Sequence, residues 1–454
     1  MITDQDLELL GARPLTALDR IKLVGIAALY RDGRIAVAFL HQLSKFFLPS
    51  HPQYDLHWRQ KTMLASIHAA NTFQSQKRIT YAASHTKTTS ERVREFAKKR
   101  KGLEHREVSV PIDAAAAAAA ANPATGGPVP PPTLHFLSGP WMTGAAGGDE
   151  SAARKDGPVI LYAHGGGYLE PIATGAHIPL ARSMARACGA REVVLIAYAL
   201  CPEAQYPAQL VQVVEAVRLL LEREGVAPGD LVLAGDSAGA HLVASLLAHV
   251  AEPAPYARPL APALGGGGGG GQFRAAVLLS PWFTWTDAAS LGTNVCDFLA
   301  GPHVASLVRV LRPRVDDVWC EIVAAPRARD VWARFFATTT TTTTGEGEGE
   351  GAGAGAGDNG KDGGKPLVKR LLVTASDSET MYRDARIFAV GYARAASVVM
   401  GAGDLGAELE RVMTEPRVFA VGRRETHVQP GLDEAVKYHG GGTWRALQAF
   451  MSSL

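Results

Sequence analysis

The chain has 454 residues, 47% hydrophobic and 20% charged, which suits a globular protein with a large core and excludes a disordered or fibrous chain. A net charge of +2 gives no overall basic excess for wrapping nucleic acid, and none is expected as a partner. The four cysteines, Cys188, Cys201, Cys296 and Cys320, show no C-x-x-C spacing, so neither a zinc site nor a disulfide scaffold is expected.

Residues 1–105 read as a helical region, with apolar residues at helical spacing in Ile21–Tyr30 and Ile35–Leu40. Charge is unevenly spread: 18 Lys/Arg face 10 Asp/Glu before residue 111, and 28 face 34 after it. Basic residues beside an apolar face are what an interfacial helix needs. Residues 20–48 have both, so peripheral contact with an anionic membrane is weighed against a simply solvated cap. The acidic start, Met1-Ile2-Thr3-Asp4, is unlike a secretory signal, and no apolar run reaches the roughly 18–20 residues that span a bilayer. The expected location is cytoplasmic, soluble or peripheral to a membrane.

From residue 106 to 454 the pattern becomes an alternation of strands and helices. Glu107–Val110 and Thr133–Leu137 are candidates for first, antiparallel strands, separated by an Ala/Gly/Pro-rich stretch at 114–132 that reads as a loop without a packed core. Further low-complexity loops are expected at 265–271 and 338–364. Strand-like runs follow at Val159–Ala163, Glu192–Ala197, Leu231–Ala234, Ala275–Leu279, Val368–Thr374 and Arg417–Val421, with helical patterns between them. That alternation predicts a mostly parallel sheet covered on both faces.

Three segments carry chemistry. His164-Gly165-Gly166-Gly167-Tyr168 follows the first apolar strand, and a glycine run leaves backbone N–H groups free to converge on an oxyanion. Tyr198-Ala199-Leu200-Cys201-Pro202-Glu203, with Tyr206-Pro207-Ala208, follows the next. Gly235-Asp236-Ser237-Ala238-Gly239 joins a strand to an Ala/Leu-rich helix, the context of a nucleophile elbow. Cys201 reads as a buried small hydrophobe.

Together these segments resemble the hormone-sensitive-lipase-like branch of the α/β-hydrolases, from about residue 155 to the C-terminus. The resemblance implies an α/β-hydrolase fold with a mostly parallel central sheet flanked by helices. It also implies a helical cap, drawn from the N-terminal region and an insertion around 286–338 that includes Trp319, Trp332, Phe335 and Phe336. It implies a Ser–acid–His triad in that chain order and an oxyanion hole from Gly165, Gly166, Gly167 and Ala238. Ser237 is the nucleophile. His427, after the last strand, is the base in preference to His303 or His439, and His241 is expected to point away from it. The acid is less determined, because the register of the family's acid and Arg-Asp pair falls on Thr380. Glu379 is preferred, Asp377 is second, and Asp384 matches the trailing Asp. The implied function is hydrolysis of small or medium apolar acyl esters, with a small-molecule ester as partner and no metal or other cofactor. An amidase or arylformamidase with the same triad, and a non-catalytic hydrolase-like ligand receptor, remain open.

Overall fold

The computed structural model describes residues 33–71, 87–121, 127–139, 156–260, 271–285, 296–299, 301–336 and 367–454. The apolar cluster Ile21–Tyr30, the low-complexity stretch 338–364, nearly all of 265–271 and the start of the expected cap insertion lie outside the described residues. The chain divides into two compact units, Met1–Ser75 and Gln76–Leu454.

In the first unit, helix α1 (33–46) and helix α2 (Trp58–Asn71) bury Phe46, Leu64, Ala65 and Ala69. Lys61 lays its ammonium over Phe47 and Tyr54, at 4.6 and 4.9 Å from the ring centroids. Val37, Leu40, Leu48 and Trp58 are exposed.

The second unit begins well before residue 106, the boundary expected from composition. Helix α3 (Thr89–Lys98) is closed by a capping box between Thr88 and Glu91 and packs on the first two strands. It therefore belongs with the sheet. The stretch after 113 also departs from expectation. Asp113 accepts hydrogen bonds from the amides of Ala115 and Ala116, and the alanines that follow form helix α4 (Ala114–Ala119). Alanine has the highest helix propensity, and an Asp N-cap supplies the missing amide partners. Ala116, Ala120 and Val129 are buried, so the segment packs.

Among the described residues nine strands form one sheet: β1 (Glu104–Ser109), β2 (Thr133–Ser138), β3 (Val159–Ala163), β4 (Glu192–Ala197), β5 (Leu231–Asp236), β6 (Phe273–Leu279), β7 (Val368–Ser376), β8 (Ala396–Val399) and β9 (Arg417–Gly422). Their order is β1-β2-β4-β3-β5-β6-β7-β9-β8, with β1–β2 and β2–β4 antiparallel and the other pairs parallel. Alternate strand residues feed opposite faces. Leu231 and Leu233 join one apolar cluster with helices α6 (Ala208–Glu222) and α7 (Ala238–Ala251). Val232 and Ala234 join the other with helices α5 (His177–Cys188) and α13 (Gly442–Ser452). Burial on both faces explains why these strands read as continuous apolar runs.

The described residues of the insertion go to two different places. Helix α8 (Gly301–Leu311) brings Leu307 over the glycine loop after β3, where a Cβ on Gly167 would lie 3.0 Å from Leu307 Cδ1. Helix α9 (Ala328–Phe335) instead buries Trp332 and Phe335 completely, with Trp332 edge-on to Phe388 at 4.8 Å. Those aromatics are core.

The remaining helices are α10 (Tyr382–Arg386), which runs into a π-helical turn over Ile387–Tyr392, α11 (Leu405–Thr414) and α12 (Gln429–Ala435). No described helix is long and apolar enough to cross a membrane.

Candidate active site

Ser237 sits between β5 and α7 at φ 51°, ψ −118°, a strained backbone conformation for a residue with a side chain. The flanking glycines permit it. A Cβ on Gly239 would lie 2.0 Å from the Ala163 carbonyl oxygen, and one on Gly235 would lie 2.6 Å from the Gly239 carbonyl. The turn thus lifts Ser237 above the C-terminal ends of β3 and β5 by pressing α7 against backbone.

His427 follows β9 and places Nε2 2.8 Å from Ser237 Oγ. Its ring is buried, and burial holds its pKa below the ordinary histidine value, while the Asp297 carboxylate pushes it partly back up. The neutral ring accepts from the serine hydroxyl at Nε2, which leaves the proton on Nδ1. Among the described residues Nδ1 has no hydrogen-bond partner; Glu379 Oε2 lies 4.0 Å away.

Glu379 follows β7, and its Oε2 accepts from Ser280 Oγ at 2.8 Å. Ser280 Oγ in turn accepts from the Val428 amide at 2.9 Å, so one hydroxyl joins the loop carrying Glu379 to the loop carrying His427. Burial, and then the nearby Asp297 charge, raise the Glu379 carboxyl well above the usual range. Asp377 points elsewhere: Oδ1 accepts from the Arg424 amide and from Ser378 Oγ, both at 2.8 Å. Asp384 lies further on, within α10.

The glycine loop is held from three sides. Gly166, Gly167 and Tyr168 all take positive φ, at 111°, 60° and 59°. Asp236 accepts from Tyr162 OH at 2.5 Å and from the Gly165 amide at 2.9 Å, and its other oxygen lies 3.4 Å from His177 Nε2. Burial alone would raise its pKa; His177, Tyr162 and Gly165 outweigh burial and hold it low, so it is a carboxylate. His164 donates from Nδ1 to the Gly165 carbonyl at 2.7 Å and accepts at Nε2 from Thr89 Oγ1 at 3.1 Å, while Tyr198 OH donates to the His164 carbonyl at 2.6 Å. Burial lowers the His164 pKa to about 4.

These bonds correct one expectation. The Gly165 amide is already committed to Asp236 and is not free for an oxyanion. The amides of Gly166, Gly167 and Ala238 donate to no acceptor among the described residues.

Two other histidines have partners of their own, and the side chain of His303 lies outside the described residues. His241 accepts from Tyr168 OH at 2.7 Å and donates to the Cys320 carbonyl at 2.6 Å, so it shapes the wall behind the glycine loop. His439 is exposed and stacks on Trp444. Cys201 is buried, and burial pushes its thiol up to about 12.

Sequence reasoning missed three contributors. Asp297 is buried and accepts from the Thr380 amide at 2.7 Å, from Thr426 Oγ1 at 3.0 Å and from the His427 amide at 3.4 Å. It ties the segment before α8 to both reactive loops. Ser280 follows β6 at φ 44°, and Thr89 opens α3. Asp236 carried a signal, as a charged residue in an otherwise apolar strand end; the other three carried none, because their partners are distant in sequence.

A family model described as the alpha/beta hydrolase fold matches residues 160–344. The match covers the glycine loop and the elbow; Glu379 and His427 lie beyond it. An acetyl-hydrolase of Streptomyces hygroscopicus is 42% identical over 95 residues, 21% of this chain and 31% of that protein. Carboxylesterase NlhH of Mycobacterium tuberculosis strain H37Rv is 40% identical over 96 residues, 20% of this chain and 29% of the relative. The chain thus matches about a third of the length of these curated relatives. Among solved structures, a mutant of the esterase E40 superposes with a TM-score of 0.52 at 18% identity, covering 87% of this chain and 98% of that one. A hyperthermophilic esterase from the archaeon Pyrobaculum calidifontis gives 0.51 at 15% identity, covering 89% and 99%. These superpositions establish the fold.

Proposed function

We propose that this chain, an α/β-hydrolase-fold protein of the hormone-sensitive-lipase-like kind, is a serine carboxylester hydrolase. The observation that carries the reading is the 2.8 Å approach of His427 Nε2 to Ser237 Oγ on a strained elbow, beside unpaired backbone amides. Ser237 attacks the ester carbonyl while His427 takes the hydroxyl proton. The amides of Gly166, Gly167 and Ala238 receive the developing oxyanion, each such donor being worth about 3–4 kcal/mol of barrier. His427 then returns its proton to the departing alcohol. A water deprotonated by the same ring attacks the acyl-enzyme and releases the acid. Glu379 is the acid that stabilises the charged imidazole. Because the family-model match ends at residue 344, the roles of Glu379 and His427 rest on geometry.

Small or medium apolar acyl groups fit best. Leu307 and Trp282 crowd Gly167 beside the nucleophile; the cavity behind the glycine loop, which Tyr168, Leu242, Trp285, Gln209, His241 and Ser245 help to line, does not include Ser237 or His427. A fluorophosphonate probe is expected to form one adduct, on Ser237, and a p-nitrophenyl ester series is expected to lose rate as the acyl chain lengthens. Absence of the adduct from folded protein would refute the assignment.

The buried base sets a pH dependence. Only neutral His427 accepts the serine proton, and its pKa is lowered, so the acid limb of kcat/KM is expected to have its midpoint below about 6.5, the ordinary histidine value. Asp297→Asn removes the charge that supports the protonated ring and should move that limb further to acid. A midpoint at 7 or above, measured on p-nitrophenyl acetate, would contradict this.

A further inference from the structure

We propose that His105, Glu107 and His135 form a zinc site on the outer edge of the sheet, remote from the catalytic loops. Strand geometry creates the cluster. His105 and Glu107 are two residues apart on β1 and share a face, and the antiparallel register sets His135 of β2 directly opposite Glu107. One donor atom from each lies within 4.8 Å of the other two. His105 Nε2 is 3.0 Å from His135 Nδ1, and Glu107 Oε2 is 3.7 Å from the same nitrogen. Zinc takes nitrogen and oxygen ligands at about 2.0–2.2 Å in tetrahedral sites, which puts neighbouring donors about 3.3 Å apart. The two measured separations bracket that value.

The surroundings match what ligating groups need. A metal-bound histidine normally donates its other ring N–H to a polar group that fixes the tautomer, and a ligating carboxylate is itself hydrogen-bonded. His135 Nε2 lies 2.9 Å from Ser90 Oγ, which directs the Nδ1 lone pair at the cluster. Glu107 Oε2 accepts from Arg94 Nε at 2.7 Å. Ser90 and Arg94 stand one turn apart on α3, so a single helix supplies both outer partners. A small turn of the half-buried His105 ring aims its lone pair at the shared vertex, and water completes the four ligands. Imidazole and carboxylate together select a borderline transition ion over magnesium or calcium. The site would pin β1, a mostly exposed edge strand, to β2 and α3.

The test is a calorimetric titration of ZnCl2 into untagged full-length protein, stripped with EDTA and dialysed. One zinc per chain is expected, with a rise in thermal midpoint on saturation. The double variant His105→Ala/Glu107→Gln alters only exposed or half-buried side chains; it should stay folded without zinc and lose at least about a hundredfold in affinity, together with the thermal shift. Ser90→Ala should weaken binding about tenfold, the effect expected for an outer partner. Glu107→Gln alone serves if the double variant misfolds. Absence of a saturable site in the parent protein, or equal affinity in parent and ligand variant, overturns the proposal. Fluorophosphonate labelling of the same samples reports on Ser237 separately, so neither result bears on the esterase reading.

Discussion

Ser237→Ala is expected to lower kcat toward p-nitrophenyl butyrate by about a millionfold while leaving the fold intact. In serine hydrolases whose nucleophile and base act as a unit, removing the serine costs about as much as removing the whole triad, on the order of 10⁶ in kcat. What remains is the contribution of substrate binding and the oxyanion amides, which the alanine leaves in place. Little stability should be lost, because the hydroxyl's one side-chain partner among the described residues is His427 and the backbone bonds of Ser237, to the Leu279 carbonyl and from the His241 and Trp282 amides, are untouched. Relief of strain is not expected either: alanine at φ 51° is no more comfortable than serine. The check pairs steady-state kinetics with circular dichroism and thermal melting of the same sample. A variant that hydrolyses the ester at the parent rate would remove Ser237 from the mechanism.

Much of this architecture was legible because it depends on short-range rules. A parallel strand buried on both faces has to be an apolar run, and Val159–Ala163, Leu231–Ala234 and Arg417–Val421 announce themselves that way. The elbow is legible for a steric reason: only glycine fits where Gly239 meets the Ala163 carbonyl. Strand β8 was missed since four residues, Ala-Ser-Val-Val, give no measurable period, and as an edge strand it is half exposed. The alanine run at 114–119 was misread because composition argued for a loop, whereas the Asp113 cap and the alanine propensity argued for a helix.

The site was legible only where its chemistry is local. The glycine loop and the elbow are contiguous motifs; the groups that steady them come from elsewhere. Thr89 reaches His164 from a helix far upstream, and Asp297 reaches Thr380, Thr426 and the His427 amide across the molecule. No spacing rule connects such residues. The same holds for His105, Glu107 and His135, whose proximity is a product of strand register. Gly165 shows the converse error: it stands within a motif of apparently equivalent glycines, yet its amide is bound to Asp236.

The larger remaining effect concerns the acid. Glu379→Gln is expected to lower kcat by roughly ten-thousandfold, the cost of an acid-to-amide change in a comparable triad. The substitution preserves size and can still accept from Ser280 Oγ, so the change is one of charge. The charge matters because the His427 Nδ1 proton has no partner, and the nearest carboxylate oxygen is Glu379 Oε2 at 4.0 Å. As the imidazole takes up the serine proton, attraction between the buried imidazolium and the carboxylate closes that gap; catalytic hydrogen bonds are often long without substrate and tighten on the reaction path. Glutamine cannot supply that attraction, because the amide oxygen it presents to Ser280 Oγ and Nδ1–H is uncharged. Asp377→Asn, on an exposed loop facing Arg424, should change kcat by less than about threefold, in the range of an ordinary surface substitution. Kinetics of both variants on one ester, with Asp297→Asn alongside, decide the assignment. A near-silent Glu379→Gln beside a dead Asp297→Asn would transfer the role to Asp297, a buried carboxylate whose charge acts on the His427 ring.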